Sequence, residues 1–476
     1  METHHNRFEE FANRLRCTGA TEATIRSFQS NYEALLSGQT GMIPEGEIKP
    51  VSDLPRFETL PSAGMVGEQA LAKTVIVKLN GGLGTSMGLD KAKSLLEVRD
   101  GMCFLDIIAR HVLHLRQSHG VPLRFLVMNS FSTSNDSLNH LKNHPDLWKG
   151  SHQSAPGSPA DLELLQSQVP KVDAASLRPI QWPASPQLEW CPPGHGDIYP
   201  SLLGSGWLER LIAEGMNFLF VSNSDNLGAT LDLRILDYFA VSGMPFLMEV
   251  AERTAADRKG GHLAECGSKL ILRESAQCPS SDAQFFQDIA RHRFFNTNNL
   301  WIRLDTLLAS LRDHGGFIPL PLIKNTKTVD PRDPKSPAVF QLESAMGAAI
   351  GCFPGAGALV VPRTRFAPVK TTSDLFLLRS DAYTITEDWR IIPSSGDASN
   401  LATINLDPAH YRLVDQLADL TTAGTPSLVG CSNLTVNGPV RFQQGSTFRG
   451  NVTLNNLTNE PRILPAGTYE NINVSV

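Results

Sequence analysis

The chain has 476 residues, a length that predicts two to four domains at roughly 100–200 residues per domain. Hydrophobic residues make up 41% and charged residues 19%, a balance that fits a folded protein and excludes a wholly disordered or fibrous chain. The net charge of -6 removes the electrostatic reason to expect nonspecific binding to DNA or to an anionic membrane, so any phosphate ligand must be held by a local pocket.

The sequence carries no pattern typical of export, of a membrane span or of a disulfide framework. Seven cysteines are scattered and include no C-x-x-C pair of the kind that suggests disulfides or zinc. Met1 to Leu15 is charged throughout and lacks the apolar core of a signal peptide. The most apolar stretch, Gly347 to Val361, is short and broken by Pro354. We therefore expect a cytoplasmic protein that binds neither nucleic acid nor membrane.

Residues 1–69 predict a helical segment followed by a connection. Apolar residues between positions 6 and 36 recur at mixed three-and-four spacings, which predicts two amphipathic helices divided near Gly19. A stretch rich in glycine, proline and glutamate, from Gly38 to Pro61, has no sustained period. This stretch predicts an extended connection to the first clearly predicted strand.

Residues 70–385 alternate β-rich runs with helical patterns, beginning with Lys73 to Leu79, Phe104 to Gln117 and Leu123 to Asn129. Strands separated by helix-length segments imply βαβ units, and we predict an α/β domain with a mixed, mostly parallel sheet. The segment from Gly150 to Pro193 is rich in serine, proline and glutamine and has little periodicity. It predicts long loops at the edge of that sheet, where α/β enzymes often form ligand sites.

Residues 386–476 end in short β runs separated by Asn/Gly turns at intervals of about six to ten residues. Helix-forming patterns almost vanish there. Such repeats favour a small C-terminal β-helix, which stacks turns and exposes a face that a second copy can cover. A plain antiparallel sheet is the alternative.

The first candidate site is a β-rich strand that runs into a glycine-rich loop, Thr74 to Gly88. Glycines let backbone N–H groups close around phosphate oxygens and let a base lie against bare backbone. The loop is not a dinucleotide fingerprint, because Met87 stands where a glycine would be needed, and Ala92 before Lys93 excludes a Walker loop. A nucleotide loop and a simple tight turn both remain open. Lys93 is either a phosphate counter-charge or a solvated surface lysine.

Two further motifs hold polar residues in positions typical of ligand sites. The run Glu189 to Tyr199 is a proline- and glycine-rich loop in which His195 is flanked by glycines, so a ligand can approach the backbone closely. In the run Phe218 to Gly228, an apolar strand ends abruptly in polar residues, which puts Asn223 and Asp225 at the carboxyl edge of the sheet. A carboxylate there suits Mg²⁺, whereas the structural alternative is an Asx turn.

Together these residues resemble the eukaryotic-type UTP:glucose-1-phosphate uridylyltransferases. The resemblance covers residues 70–380 strongly and runs in chain order through motifs that share the family pattern: Lys78 to Gly88, Leu126 to Phe131, Pro192 to Tyr199, Val221 to Thr230, Phe295 to Trp301, Gln341 to Ala345 and Val369 to Leu375. It implies a Rossmann-like nucleotidyltransferase core, a Mg²⁺-dependent reaction of UTP with glucose 1-phosphate, and the products UDP-glucose and pyrophosphate. It allows a homo-oligomer assembled through the C-terminal β-helix.

The resemblance also implies a role for each matched residue. Nucleotide contacts are expected from Leu79, Asn80, Gly81, Gly82, Lys93, Gln166, Gly194, Asp225 and Lys370. Sugar-phosphate contacts are expected from His195, Asn223, Ser224, Asp225, Asn298 and Glu343. Asp225 is the expected metal ligand, and Lys93 and Lys370 are the expected catalytic residues.

Two positions depart from the family pattern. Lys91-Ala92 stands where the family has Gly-Pro before the lysine matched by Lys93, and Leu165 to Lys171 is a reduced form of its Gln-containing stretch. A uridylyltransferase for another sugar 1-phosphate, such as galactose 1-phosphate or N-acetylglucosamine 1-phosphate, and a non-catalytic nucleotide-sugar sensor are the alternatives. The Asn-Gly-Gly-Leu-Gly-Thr-Ser-Met form of the loop favours the glucose enzyme.

Overall fold

A computed structural model describes residues 4–148 and 157–476 of the chain, with side chains from residue 7 onward. Its α-helices, in chain order, are His4–Cys17, Glu22–Leu36, Met65–Leu71, Phe104–His119, Ser134–Leu141, Ile198–Gly204, Trp207–Ala213, Leu233–Ser242, Ala283–Phe286, Leu304–Asp313, Thr372–Arg379, Pro408–Tyr411 and Val414–Leu420. No helix in this part of the chain combines the length and apolar content that crossing a membrane requires.

The N-terminal segment forms the two helices that its apolar spacing predicts. Gly19, with a φ of 76°, separates them, and the Thr21 side chain caps the second by accepting a hydrogen bond from the backbone N–H of Thr24. Aromatic rings pack between the helices, with the Phe11 and Tyr32 centroids 4.8 Å apart. The pair also packs against the short strand Val169–Pro170 and the strand Ala338–Glu343, which lie near the candidate site.

Within the described residues, the central sheet has ten strands. Along its main path they are Lys49–Pro50, His262–Cys266, Phe294–Arg303, Phe218–Asn223, Thr74–Asn80, Arg124–Asn129 and Glu163–Leu165; Lys269–Arg273, Phe246–Glu252 and Gly357–Val360 pair beside it. Apolar strand residues pack on helices on both faces, forming two large hydrophobic clusters. The mixed α/β architecture that the sequence predicts is confirmed.

The sequence predicts a mostly parallel sheet, but parallel pairing does not dominate the sheet that forms. It joins Phe218–Asn223 to Thr74–Asn80, then to Arg124–Asn129 and Glu163–Leu165, and it recurs between Phe246–Glu252 and Gly357–Val360. The strand Phe294–Arg303 instead runs antiparallel to its neighbours. Its polar Asn-Thr-Asn-Asn run was visible in the sequence, but the direction of its strand was not, because strand direction depends on the crossover connections.

Smaller sheets surround the central one. Their strands are Glu97–Arg99 with Met102–Cys103, Val169–Pro170 with Trp190–Cys191, Tyr383–Ile385 with Ile391–Pro393, and Val172–Asp173 with Ala338–Glu343 and Ile323–Thr328. Of the predicted loop region 150–193, residues 150–156 lie outside the described residues. Residues 157–193 consist of single turns and strands of two or three residues, which fits the predicted irregular segment.

The C-terminal region is built from parallel strands stacked in order: Thr403–Leu406, Ser427–Asn437, Thr447–Asn455, Thr468–Glu470 and Asn473–Ser475, with Val440–Phe442 paired to Arg462–Leu464. Parallel register excludes the antiparallel alternative for these strands. Equivalent side chains align from turn to turn, so the Asn437 amide donates to Asn455 at 2.8 Å and Asn455 donates to Asn473 at 2.6 Å. The apolar side chains of Leu434 and Val452 stack inside.

Candidate active site

The glycine-rich loop leaves the carboxyl end of strand Thr74–Asn80 and turns back on itself. Gly84 has a φ of 68°, and a Cβ there would lie 2.8 Å from Cδ1 of Leu89, so a larger residue would be strained and crowded. The backbone N–H of Lys93 donates to the carbonyl of Gly82 at 3.0 Å. The loop therefore brings Lys93 back beside the bare backbone of Gly81 and Gly82.

Lys93 meets Asp225 across the end of the sheet. The two parallel strands Thr74–Asn80 and Phe218–Asn223 are neighbours, so the residues that follow them lie side by side. The Nζ of Lys93 donates to Oδ2 of Asp225 at 2.7 Å, and the side chains are 15% and 20% exposed. This ion pair at the edge of the sheet leaves both charges close to solvent and to any phosphate bound above the loop.

Gln166 lies over the same loop in a fixed orientation. Its backbone N–H donates to the carbonyl of Asn129 at 2.7 Å, and its side-chain amide donates to the carbonyl of Gly194 at 2.9 Å. A Cβ on Gly81 would lie 2.8 Å from the side-chain oxygen of Gln166. The absence of a side chain at Gly81 therefore lets the Gln166 amide lie close to bare backbone.

A buried carboxylate supports this arrangement from below. Oδ2 of Asp197 accepts from the backbone N–H of Ser167 and from the Ser201 hydroxyl, each at 2.7 Å. Burial raises the pKa of Asp197 to about 6, although both hydrogen bonds oppose that rise. Asp197 was noticed in the sequence only as part of the histidine loop; its contact is with the residue that follows Gln166.

His195 lies at the wall of the cleft as a neutral imidazole. Its Nδ1 accepts a hydrogen bond of 2.9 Å from the backbone N–H of Met346, so the ring proton is on Nε2. Burial lowers the pKa of His195 to about 4. The preceding Gly194 has a φ of 81°, and a Cβ there would lie 2.4 Å from the carbonyl oxygen of Ser344. Glycine at this position thus lets the histidine loop pack directly on the segment that follows Glu343.

The polar run after Phe295 reaches the cleft through a β-bulge. The ladder between Phe246–Glu252 and Phe294–Arg303 shifts between Glu249 and Val250, where Thr297 and Asn298 have no partner. Asn298 has a φ of 62°, and its backbone N–H donates to Oδ1 of Asn296 at 2.9 Å. The bulge turns Asn298 out of the ladder and into the wall of a cavity that Glu343 also lines, and burial raises the pKa of Glu343.

Two adjoining cavities share one wall at this edge of the sheet. The first, of about 330 Å³, is lined by Leu79, Gly81, Gly82, Lys93, Met128, Gln166, Pro192 and Ser224. The second, of about 500 Å³, includes Asn298, Glu343 and Lys370 in its wall. Gly194, His195, Asn223 and Asp225 line both. The cleft therefore has room for two ligands that meet at these shared residues.

Asn80 is a predicted site residue, but its side chain does not line either cavity. Its Nδ2 donates to Asn129 and Ser137 at 2.7 and 2.8 Å, and its Oδ1 accepts from the Ser224 hydroxyl at 3.2 Å. The Asn80 side chain is buried and ties three chain segments together beneath the loop. This placement leaves its backbone as the part closest to a ligand.

Lys370 is exposed and stands at the outer rim of the second cavity. Its backbone N–H and that of Thr371 donate to the Asp374 carboxylate, which starts the helix Thr372–Arg379. The Lys370 ammonium lies 5.7 Å from the centre of the Phe366 ring. Lys370 is thus held at its backbone, while its long side chain extends over the cavity.

Sequence reasoning missed the pair Glu249 and Arg365, which anchors the segment that carries Lys370. Both oxygens of Glu249 accept from the Arg365 guanidinium at 2.7 Å, and they also accept from Trp301 and Asn299 at 2.9 and 3.0 Å. Glu249 is fully buried. A lone glutamate inside the apolar run Phe246 to Ala251 was the available signal, because a buried carboxylate requires a cationic partner.

The site also meets the basic requirement for a hard divalent cation. Asp225 offers a carboxylate at the shared wall, and its Oδ2 is held by Lys93. Among the described residues, Asp225 belongs to no group of three clustered His, Cys, Asp or Glu ligands. One carboxylate fits Mg²⁺, which usually takes one or two carboxylates together with phosphate oxygens and water.

Fold and site together define a class of α/β protein that holds a nucleotide and a second phosphorylated ligand at the carboxyl edge of its sheet. The model of the UTP–glucose-1-phosphate uridylyltransferase family matches residues 25–449. The chain belongs to this family.

Individual relatives are similar to this chain in sequence along most of their length. The UTP–glucose-1-phosphate uridylyltransferase of Solanum tuberosum is 37% identical over 417 residues, which cover 87% of this chain and 81% of the relative. That of Saccharomyces cerevisiae is 38% identical over 386 residues, covering 81% and 74%. A solved structure of a UDP-glucose pyrophosphorylase variant from Leishmania major in complex with UDP-glucose matches with a TM-score of 0.92 and 44% identity, covering 99% of both chains.

Proposed function

We propose that this chain transfers the uridylyl group of UTP to α-D-glucose 1-phosphate and releases UDP-glucose and pyrophosphate, in a reversible reaction. Family membership supports this activity. The observation that carries it in the molecule is the shared wall of the two cavities. The nucleotide loop and Gln166 border one side of that wall, Asn298 and Glu343 border the other, and the Lys93–Asp225 pair lies where the two meet.

The reaction that fits this cleft is a direct in-line attack. A phosphate monoester has a second pKa near ~6, so glucose 1-phosphate is largely dianionic at neutral pH and needs no strong base. Its oxygen attacks the α-phosphorus of UTP, and pyrophosphate leaves from the opposite side. The task of the protein is to hold two polyanions in line and to offset their charge. This mechanism requires no nucleophilic cysteine.

On the nucleotide side, we assign contacts to the loop Leu79, Asn80, Gly81 and Gly82. Gln166 would pair with the edge of uracil, because its side-chain oxygen remains beside Gly81 while its amide is held by Gly194. Lys93 would exchange its ion pair with Asp225 for the phosphates of UTP.

On the sugar side, we assign the contacts to residues of the shared wall, to Ser224 beside it in the first cavity, and to residues of the second cavity. His195 would donate from Nε2 to the phosphate of glucose 1-phosphate, and its neutral ring avoids burying a second charge there. Asn223 and Ser224 would also contact the sugar phosphate. Asn298 and Glu343 would bind glucose hydroxyls. Lys370, at the rim, would stabilise charge on the transferring phosphoryl group.

We further propose that Mg²⁺ assists the reaction. Asp225 would hold it, together with phosphate oxygens of the substrates. When bound, Mg²⁺ offsets negative charge on those phosphates.

Mg²⁺-dependent release of pyrophosphate tests the activity. The assay takes UTP with glucose, galactose or N-acetylglucosamine 1-phosphate, and replaces UTP with ATP, TTP or GTP as controls. Selective release with UTP and glucose 1-phosphate is the expected result. Release with a different sugar would reassign Asn298 and Glu343, and binding of UTP without release from any pair would instead indicate a nucleotide-sugar sensor. Family membership does not favour either alternative.

We also propose three units: residues 1–69, a catalytic domain of residues 70–385, and a C-terminal β-helix of residues 386–476. Stacked parallel strands and the aligned asparagines support the β-helix. A homo-oligomer would form through this β-helix, and molar mass by light scattering tests that. The seven free thiols suit the reducing cytoplasm, which we propose as the location.

A further inference from the structure

Metal-ligating side chains converge where the helices Phe104–His119 and Ser134–Leu141 meet. The Oδ1 of Asp106 lies 2.8 Å from Nε2 of His140 and 2.7 Å from Nε2 of His144. The Sγ of Cys103 lies 3.3 Å from the same nitrogen of His140. The candidate ligand atoms of Cys103, Asp106 and His140 all fall within 4.8 Å of one another. This cluster has no part in the proposed reaction.

The spacing of these residues is that of a zinc site. Cys103 immediately precedes the helix Phe104–His119 and is separated by two residues from Asp106 in the first turn. His140 lies in the last turn of the helix Ser134–Leu141, and His144 follows that helix, separated from His140 by three residues. Structural zinc sites commonly combine C-x₂₋₄-C with H-x₃₋₅-H. Here aspartate takes the place of the second cysteine, which is why a search for C-x-x-C pairs overlooks the site.

The donor set selects a borderline-soft cation. A thiolate, two imidazoles and a carboxylate suit Zn²⁺ in tetrahedral geometry, whereas Mg²⁺ prefers oxygen ligands. Zinc bonds of about 2.0–2.3 Å imply ligand atoms roughly 3.3–3.8 Å apart. The observed distances of 2.7 to 3.3 Å are those of hydrogen bonds, and side-chain rotations would open them to that size. Nε2 of His144 contacts Asp106 but lies outside the group of three ligand atoms, so zinc binding also requires the His144 ring to turn toward Cys103 and His140.

We propose that Cys103, Asp106, His140 and His144 bind one Zn²⁺ ion that joins the two helices beneath the nucleotide loop. Binding through Nε2 leaves each ring proton on Nδ1, and the thiol proton of Cys103 is released to solvent. The cluster is linked to the proposed active site through structure. The turn Lys93–Leu95 packs against both helices, and Ser137 of the second helix accepts from Asn80. Bound zinc would thereby stiffen the support of the loop that carries Lys93.

Metal titration of the full chain tests this proposal without reference to activity. Protein stripped with a chelator is titrated with Zn²⁺ in competition with a chelating dye, in excess Mg²⁺ to occupy oxygen sites. Co²⁺ then replaces Zn²⁺, because a cobalt–thiolate bond gives a near-ultraviolet charge-transfer band. We expect one tightly bound Zn²⁺ per chain, that band with Co²⁺, and a higher unfolding temperature with metal.

Variants assign the ligands. Cys103→Ser should remove the charge-transfer band, and His140→Gln and His144→Gln should each weaken Zn²⁺ binding at least tenfold. The matched controls are Cys431→Ser, another buried cysteine, and His119→Gln, an exposed histidine at the end of the helix Phe104–His119; both should bind as the parent does. Because His144→Gln retains the buried thiol, it tests the site even where Cys103→Ser folds poorly. No stoichiometric Zn²⁺ binding, or equal binding by all variants, would overturn the proposal.

Discussion

The buried pair Glu249–Arg365 allows a quantitative test of how the fold supports the site. In Arg365→Met, a side chain of similar length loses both hydrogen bonds to Glu249 and one of 2.9 Å to the carbonyl of Thr230. Glu249 then stays buried as an unpaired charge, which typically costs about 3–5 kcal/mol. Trp301 and Asn299 still donate to it, so we expect the free energy of unfolding to fall by about 3 kcal/mol, near the lower limit.

Denaturant unfolding of three variants measures this cost. The double variant Glu249→Gln/Arg365→Met removes both charges and keeps an amide oxygen for Trp301, so it should regain about 1–2 kcal/mol relative to Arg365→Met. The control Arg363→Met breaks a more exposed ion pair, with Asp257 at 2.7 Å, and should cost no more than about 1 kcal/mol. A loss in Arg365→Met no larger than in Arg363→Met, or a double variant no more stable than Arg365→Met, would refute the reasoning.

The same variants link stability to function. The carbonyl of Arg365 accepts from Asn226 at 3.1 Å, and Asn226 in turn accepts from the backbone N–H of Ala367 at 2.9 Å. Loosening Arg365 should therefore loosen the segment that leads to Lys370. We expect Arg365→Met to lower kcat more than it raises the KM for UTP, since Gln166 and the glycine-rich loop are anchored elsewhere.

Further predictions concern the site itself. Lys370→Ala should lower kcat by ~10²–10³ in steady-state assays, with unchanged folding because the side chain is exposed; near-normal kcat would remove it from the mechanism. Asp225→Asn should shift the Mg²⁺ titration of activity to higher concentration, whereas an unchanged titration would move the metal elsewhere. The pKa of His195 falls from 6.5 to about 4 on folding, so the unfolded chain binds more protons between these pH values and stability should decline as pH drops through them. His195→Gln should flatten that decline in pH-dependent unfolding, and an unaltered slope would contradict it. Gly194→Ala should weaken binding of both substrates in titrations, because a Cβ there crowds Ser344. The control Gly206→Ala introduces only backbone strain, since Gly206 has a φ of 78° and open space around it. Equal losses of binding in the two variants would argue against crowding by Ser344.

The sequence predicted the elements around the site better than the contacts between them. Lys93 and Asp225 were each identified from a local motif, because a strand that ends in glycine or aspartate is visible over ten residues. Their ion pair was not predicted, since it depends on the parallel pairing of two strands more than a hundred residues apart. Asn80 illustrates the same limit: the motif indicated the residue, and only the fold shows its side chain turned toward Asn129 and Ser137.

Residues that act through buried networks escaped the sequence analysis for a different reason. Glu249 and Arg365 are far apart in the sequence, and neither lies in a pattern typical of a site. The bulge at Asn298 also has no local signature, because it arises from a mismatch between two strands. Burial of His195 lowers its pKa through packing of distant segments, which no local pattern reports. Tertiary packing thus sets both the charge state and the orientation of the site residues.

The stereochemistry of the transfer tests the central claim most directly. The chain is supplied with glucose 1-phosphate, Mg²⁺ and one diastereomer of UTP carrying sulfur on the α-phosphorus, and the configuration of the resulting UDP-glucose is determined. A single in-line displacement, with substrate phosphate as the nucleophile, predicts inversion at that phosphorus. Retention would mean two displacements through a covalent uridylyl-protein intermediate, and it would contradict the mechanism that we assign to Lys93, Asp225 and Lys370.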